Sequence, residues 1–253
     1  METVTIKNDG GVRIIEMDRP KALNAFSAQL MDDLTDAFLE ANKDPSVRVA
    51  ILTGAGRAFS AGADLTEMGQ PPKKPKHGFP GLLDAIFDFE KPFIVAVNGV
   101  GAGVGATICG LADLTYMADE ARLRCPFSAL GLTAEAASTV TFPRLMGRQN
   151  AMWFLLASEW WSAQQCAEAG LVLKVLPKEE LMPYTMAQAQ KLAALPTASL
   201  IKTKKLIMDP LKDEMRAAAK AENQGLAELM GGPANKEALA AFIEKRDPDF
   251  SDL

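Results

Sequence analysis

Histidine occurs once in this chain, cysteine three times, and no run of about 18 apolar residues is present, the length a membrane-spanning helix needs. Each scarcity removes a class of function. The one histidine, His77, lies in QPPKKPKHGFPG, whose prolines, glycines and lysines read as an exposed mobile loop, so the chain argues against a His-dependent nucleophilic triad. Cys109, Cys125 and Cys166 are odd in number and scattered, with no histidine cluster beside them. That fits buried thiols in a reducing compartment and disfavours a disulfide framework or a zinc site. The 12 methionines are adaptable filling, and no metal or redox cofactor is indicated. The N-terminal METVTIKNDGGV begins directly as a strand without an apolar signal core, so a cytoplasmic location is the simplest expectation. Positive charge is in deficit too: a net charge of −5 argues against a general nucleic-acid surface, while leaving room for a local basic pocket.

What is present suits one large domain, or a domain with an appendage. The chain has 253 residues, 48% of them hydrophobic, enough for a sizeable core. Val4 to Lys7 and Val12 to Met17 alternate around Asn8-Asp9-Gly10-Gly11, a hairpin signal. Ser27 can cap a helix in which Leu30, Met31, Leu34 and Phe38 recur at helical spacing, ended by residues 42–45. Buried strands are expected at Val47 to Thr53, Phe93 to Val97 and Leu114 to Ala118, with a helix from about Gly103. This alternation predicts an α/β core with a largely parallel sheet. From Ala151 onward the pattern is mainly helical, broken by an apolar strand at Leu171 to Leu176. Later helices are expected over 177–195, 199–208, 212–230 and 235–245, separated by Pro196, Pro210 and Pro233.

Two glycine-rich turns each follow a buried strand and each reads as leading into a helix: AFSAGADL and NGVGAGVGATI. Exposed backbone N–H groups at such turns can hold an oxyanion or a phosphate, although glycines also serve plain strand-to-helix packing. Gly101 to Ala106, GAGVGA, satisfies the dinucleotide pattern G-x-G-x-x-G/A. It begins four residues beyond Val97, lies mid-chain and lacks the rest of a nucleotide domain, so the match is weak. A different signal is Glu135, the sole acidic residue between Ala121 and Ser158, set in LGLTAEAASTVTF among small, hydroxylic and apolar neighbours. Apolar surroundings raise a carboxyl's pKa and improve it as a proton carrier near neutral pH. Position alone equally allows a glutamate before a helix facing water.

Read together, RPKALNAF (19–26), GRAFSAGADLTEM (56–68), KPFIVAVNG (91–99), PFSALGL (126–132), SAQQCAEAGLV (162–172) and AFIEKRDPDF (241–250) resemble the enoyl-CoA hydratase/isomerase, or crotonase, superfamily, in order and over nearly the whole chain. The resemblance implies an α/β fold, a crotonase-like spiral of ββα units with a helical C-terminal oligomerisation region, and a CoA-thioester substrate. Coenzyme A is then part of the substrate and no separate cofactor is expected. The implied division is a core with the acyl-CoA site over 1–195 and a helical region over 196–253 that completes the CoA site and a trimer interface. A homotrimer or hexamer is expected, with no nucleic-acid or membrane partner.

By motif, the thioester oxygen would be held by the backbone N–H groups of Ala63 and Val104. Family members commonly have glycine at the second position, so the register could shift to Gly103. The resemblance places Lys21, Ala22, Leu23, Ala61, Gly62, Asp64 and Leu65 along the CoA channel, and brings Phe242 and Lys245 toward the nucleotide, often from a neighbouring subunit. The positions of the two hydratase glutamates read Thr107 and Phe127, which carry no proton at neutral pH, so water addition is disfavoured. PFSALGLTAEAASTVTFP instead resembles the peroxisomal-type Δ3,Δ2-enoyl-CoA isomerases, with Glu135 at their glutamate. Another crotonase reaction and a noncatalytic acyl-CoA-binding homologue remain alternatives. Lys73, Lys74 and Lys76 read as a mobile charged loop, Phe79 to Phe87 as acyl contacts or core, and Trp153, Trp160 and Trp161 as packing or interface residues.

Overall fold

The computed structural model describes residues 1–64, 66–67 and 75–253. Strands β1 (Val4–Asp9) and β2 (Val12–Met17) form the hairpin, closed by Gly10 and Gly11 at φ +57° and +86°, a two-residue turn with both centres left-handed. Helix α1 (Ala28–Lys43) starts where Ser27 Oγ accepts the Leu30 N–H at 3.2 Å, and it buries Leu30, Leu34, Ala37, Phe38 and Ala41. Then come β3 (Val49–Gly54), β4 (Ala58–Ser60), α2 (Gly78–Phe87), β5 (Phe93–Val97), β6 (Val100–Ala102) and the short α3 (Val104–Thr107). β7 (Leu114–Ala118), β8 (Arg122–Arg124), α4 (Ser138–Leu156), β9 (Trp160–Ser162), α5 (Ala163–Ala169) and β10 (Lys174–Leu176) follow, and α6 (Lys178–Ala193), α7 (Thr197–Leu229) and α8 (Pro233–Glu244) end the chain.

Strands of the first sheet run β1-β2-β3-β5-β7-β10, parallel throughout except for the β1–β2 hairpin. A second sheet runs β4-β6-β8-β9. Successive pairs β3/β4, β5/β6 and β7/β8 each give their first strand to the large sheet and their second to the small one, which winds the chain as a spiral. Every residue of β3 and β5 is buried, so both faces of the large sheet are covered, as a parallel sheet requires. Phe38 meets Phe89 and Phe93 edge-on at ring separations of 5.5 and 5.0 Å. α2 packs on α1 and buries Leu82, Leu83, Ile86 and Phe87, which makes them core.

Several sequence expectations are corrected. The small sheet was not anticipated, because its three-residue strands are too short to show periodicity. Among the described residues the first glycine turn shows no helix start: Ala63, Asp64, Thr66 and Glu67 are non-helical, and the next described helix, α2, begins at Gly78. α4 begins at Ser138, well before Ala151, and bends at Gly147 (φ 75°, ψ 156°). Pro210 does not separate two helices but lies inside the 33-residue α7. A proline there removes one backbone bond, to the carbonyl of Leu206, whose 68% exposure lets water replace it. β10 is shorter than expected because the Leu171 and Val172 N–H groups both donate to Cys166 O, closing α5. His77 is half-buried, its Nε2 3.0 Å from Asp36 Oδ1, and Lys76 pairs with the same carboxylate at 2.7 Å, so neither is a free loop residue. Lys73 and Lys74 lie outside the described residues. Among the described residues no helix is long and apolar enough to cross a membrane.

Candidate active site

β4 and β6 are parallel neighbours, so the glycine turns that follow them leave the small sheet side by side. How close they come is set at Gly62 (φ +92°), where a Cβ would lie 2.7 Å from Ala102 O. Glycine is required there both for the backbone angle and for the approach. The next residue, Ala63, is pinned from both sides: Phe26 N donates to Gly62 O (2.7 Å) and Asp64 N to Phe26 O (3.1 Å). The Ala63 N–H itself makes no hydrogen bond with the described residues. Across the gap, the Gly103 N–H donates to Arg124 O at 3.0 Å, whereas the N–H of Val104, first residue of α3, has no partner among the described residues. GAGVGA is thus a strand end and a helix start packed tightly on neighbours: a Cβ on Gly105 would strike Ser60 O at 2.5 Å.

The Lys21 segment is fastened beside the first turn. Ala61 N donates to Leu23 O (2.9 Å), Ser60 Oγ to Asn24 O (2.8 Å), and the buried Asn24 amide to Ala55 O and Ala58 O (2.9 Å each). Ala22 and Leu23 are half-buried there, and Lys21 is exposed with no ion pair among the described residues. The Asp64 carboxylate accepts from Arg19 Nη2 (2.8 Å) and from Thr66 N and Oγ1, so it braces the turn. Burial pushes that carboxyl up, but the bonds from Thr66 and Arg19 outweigh it and hold the group below the ordinary aspartate value. Leu65 lies outside the described residues.

Glu135 meets the two turns from the opposite side. A Cβ on Gly103 would lie 3.7 Å from Glu135 Oε1 and 3.9 Å from Gly62 Cα, so carboxyl, first turn and second turn converge on one spot. The residue is half-buried: some of its surface stays open, yet the surrounding protein pushes the carboxyl up to about 7, with the negative charge of Glu222 adding to that rise. Nearby Cys125 is buried, and burial together with the charge of Glu135 raises its thiol well above the usual value, leaving it a neutral neighbour.

The chain leaves Glu135 through Ala136 and Ala137 at φ +60° and +56°, two consecutive left-handed alanines, each costing roughly 1–2 kcal/mol. Glu222 of α7 holds this turn. Its carboxylate, 5% exposed, accepts from Ala137 N (2.6 Å), Thr139 N (2.9 Å) and Thr139 Oγ1 (2.6 Å). Thus the carboxylate that is solitary in sequence has a second one near it in space. Sequence reasoning missed Glu222, although a signal existed: it falls at i+7 from Met215 and i+3 from Ala219, on the buried stripe of α7, where a charge is out of place. Asn24 and Asn98, whose amides tie down the carbonyls at the ends of β3 and β4, were missed as well.

Thr107 and Phe127 are both buried, and among the described residues Thr107 Oγ1 has no hydrogen-bond partner, as is true of Ser138 Oγ and Thr141 Oγ1. Phe242 is 65% exposed on α8, and Lys245 is exposed at its end. No hydrogen bond or ion pair among the described residues joins them to the Lys21 segment. Trp161 packs on Phe154 (4.6 Å), whereas Trp153 and Trp160 are exposed.

With this geometry the chain resembles proteins of one family. The sequence profile described as Enoyl-CoA hydratase/isomerase matches residues 7–253. The 1,2-epoxyphenylacetyl-CoA isomerase of Escherichia coli K12 is 32% identical over 99% of this chain and 99% of its own length. Enoyl-CoA delta isomerase 2 of Rattus norvegicus is 31% identical over 96% of this chain and 64% of its own length, and other relatives of similar identity are named hydratases. A solved enoyl-CoA hydratase/isomerase from Pseudoalteromonas atlantica T6c superposes with a TM-score of 0.95 at 33% identity, covering 98% of this chain and all of that one. A spiral of ββα units closed by C-terminal helices, matched along essentially its whole length in sequence and in structure, leaves one assignment: the chain belongs to the enoyl-CoA hydratase/isomerase, or crotonase, family.

Proposed function

We propose that this chain is a Δ3,Δ2-enoyl-CoA isomerase that moves the double bond of a 3-enoyl-CoA to the 2-trans position, with Glu135 as its only proton carrier. One observation carries the reading: one carboxyl, pushed up to about 7, converges with two glycine turns that each offer an N–H without a partner among the described residues. In this reading the thioester oxygen accepts from Ala63 and Val104, and Val104 is preferred over Gly103 because the Gly103 N–H is already spent on Arg124 O. Ionised Glu135 removes a proton from C2, the C2–H pair becomes a C1–C2 double bond, and the carbonyl π pair moves onto the thioester oxygen as an enolate. The oxygen pair then re-forms the carbonyl, the C1–C2 π pair becomes the C2–C3 double bond, the C3–C4 π electrons take a proton at C4 from the Glu135 carboxylic acid, and the carboxylate is restored. Fixed donors aimed at the developing charge contribute most of the acceleration, about 10²–10³-fold each by analogy with other oxyanion sites.

Water addition would need further acid–base groups to activate and orient the water. Thr107 and Phe127 occupy the places such groups would take, and neither titrates near neutral pH, which favours isomerisation over hydration. A second reading has one specific support, the similarity to the E. coli protein named 1,2-epoxyphenylacetyl-CoA isomerase: the same single carboxyl would shuttle a proton on a phenylacetyl-derived CoA thioester. The acyl-CoA site would be completed by Phe242 and Lys245 of a neighbouring subunit in a homotrimer or hexamer, which fits their exposure here, and a cytoplasmic location suits such an enzyme. The decisive experiment is a 3-enoyl-CoA isomerase assay of wild type and Glu135→Gln, run beside 2-enoyl-CoA hydration and beside CoA-ester binding. Loss of at least about 10²-fold in kcat with binding retained is expected. Normal turnover by the Gln variant, or hydration outrunning isomerisation, sinks the proposal.

A further inference from the structure

Glu222 is not one of the groups that the proposed proton transfer consumes, yet it is a buried carboxylate on a stripe of α7 otherwise made of Met215 and Ala219. We infer that Glu222 is a positioning residue for Glu135, holding from α7 the turn that aims this carboxyl at the Gly62 and Gly103 turns. The inference rests on the reading of Glu135 as the base.

Three observations support it independently of charge. α4 has no side-chain cap of its own: its cap residue is Ala137, whose side chain offers no oxygen, so while Ser138 N donates to Glu135 O and Val140 N to Ala137 O, the Thr139 N–H would be left without a backbone acceptor. A carboxylate 85 residues away supplies the missing acceptor, binding Ala137 N and both donors of Thr139. The anchor begins at Ala137, one residue removed from Glu135, and both Ala136 and Ala137 are left-handed, in a conformation alanine adopts only where its surroundings impose it. Freed from Glu222, this pair would relax toward negative φ and swing Glu135 off the spot where it meets the two glycine turns.

Charge adds a second effect. The titratable groups facing Glu135 are Glu222 from α7 and the Cys125 thiol from the segment after β8, and of these Glu222 bears the charge. A negative neighbour disfavours a second negative charge, so Glu222 keeps Glu135 a better proton acceptor than burial alone would make it. The same residue therefore fixes where the base points and how strongly it holds its proton.

The test uses full-length protein and two substitutions. Glu222→Gln keeps the size but removes the charge and one acceptor. Thr139→Val keeps the charge and removes one of three bonds at an exposed position. Isomerase kinetics are paired with a 13C-carboxyl NMR titration of Glu135, which needs no substrate. For Glu222→Gln we expect kcat to fall about tenfold or more with KM within about threefold, and the Glu135 midpoint to move down by roughly half a pH unit or more. For Thr139→Val we expect a kcat loss of about two- to fivefold and an unmoved midpoint. An unmoved midpoint or near-normal kcat in Glu222→Gln, with Glu135→Gln inactive, overturns this inference alone. Normal turnover in Glu135→Gln overturns the reading of the base instead, and the NMR shift still reports whether Glu222 sets it. Where Glu222→Gln does not accumulate as folded protein, an unchanged kcat in Thr139→Val overturns the inference.

Discussion

Glu135 and Glu222 have the same side-chain chemistry, lie close enough in the fold to influence one another, and have opposite surroundings. Glu222 is ringed by donors: two backbone N–H groups and a hydroxyl point at it, so its charge is satisfied where it stands. Glu135 has no hydrogen-bonding donor among the described residues and is pushed up to about 7 by burial and by its neighbour. A carboxyl supplied with no hydrogen bond and pushed up to about 7 gives and takes a proton readily near neutral pH. Role follows from what surrounds the group, since both residues are glutamates.

The strongest way to break this comparison leaves both carboxyls intact and removes what they serve. Val104 is the first residue of α3, where proline is tolerated because that N–H has no helical partner. Gly103 precedes it at ψ −122°, the mirror image of the extended geometry that suits a residue before proline. Val104→Pro should therefore keep the backbone path of α3 while removing the proposed donor, at the cost of the buried Val104 side chain, and lower kcat by at least about 10²–10³-fold in the isomerase assay. A variant that folds with full activity would remove Val104 from the mechanism.

The pH profile sharpens the same contrast. In the proposed reaction Glu135 must be ionised to accept the C2 proton, so kcat/KM should fall about tenfold per pH unit below about 7, an acid limb well above that of an ordinary glutamate. A limb near 4.5 would mean that the carboxyl is not the isolated group described above.

The smallest effect is on stability, and its sign is opposite to that on activity. Because the folded-state pKa is raised, the folded protein holds the Glu135 proton between pH 4.5 and about 7 while the unfolded chain releases it. Its contribution to stability is therefore full below 4.5 and is lost as pH rises through 7. Glu135→Gln should raise Tm by roughly 2–4 °C at pH 8 and leave it unchanged at pH 4, measured by differential scanning calorimetry. A fall in Tm at pH 8 would show that Glu135 stabilises its surroundings, contrary to this reading.

The large sheet was legible because β3, β5 and β7 are apolar runs of five or six residues bounded by turn residues, and α1 because Ser27 and the spacing of Leu30, Leu34 and Phe38 agree. The small sheet was not, since a three-residue strand such as Ala58–Ser60 carries no period and its glycine-rich continuation looks like a loop or a helix start. Continuity across Pro210 was illegible for another reason: a proline's local cost is visible in sequence, but the packing that offsets it, through Met215 and Ala219, is not. In the site, Glu135 was conspicuous because its neighbours carry no charge. Glu222 was hidden among the charges of α7, and only the burial of its helical stripe sets it apart. That Asp64 also braces its turn was hidden too, because its bonds to Arg19 and Thr66 join segments distant or unremarkable in sequence.

The approach at Gly62 works as a gauge. With no methyl group there, the first turn rests almost against Ala102 O, and the spacing of the Ala63 and Val104 N–H groups is set by backbone touching backbone. No rotamer change can widen that gap and no side chain can be trimmed to narrow it. The aperture between the turns should thus be among the least adjustable dimensions of the molecule, and divergence in what it accepts would have to come from the walls around it.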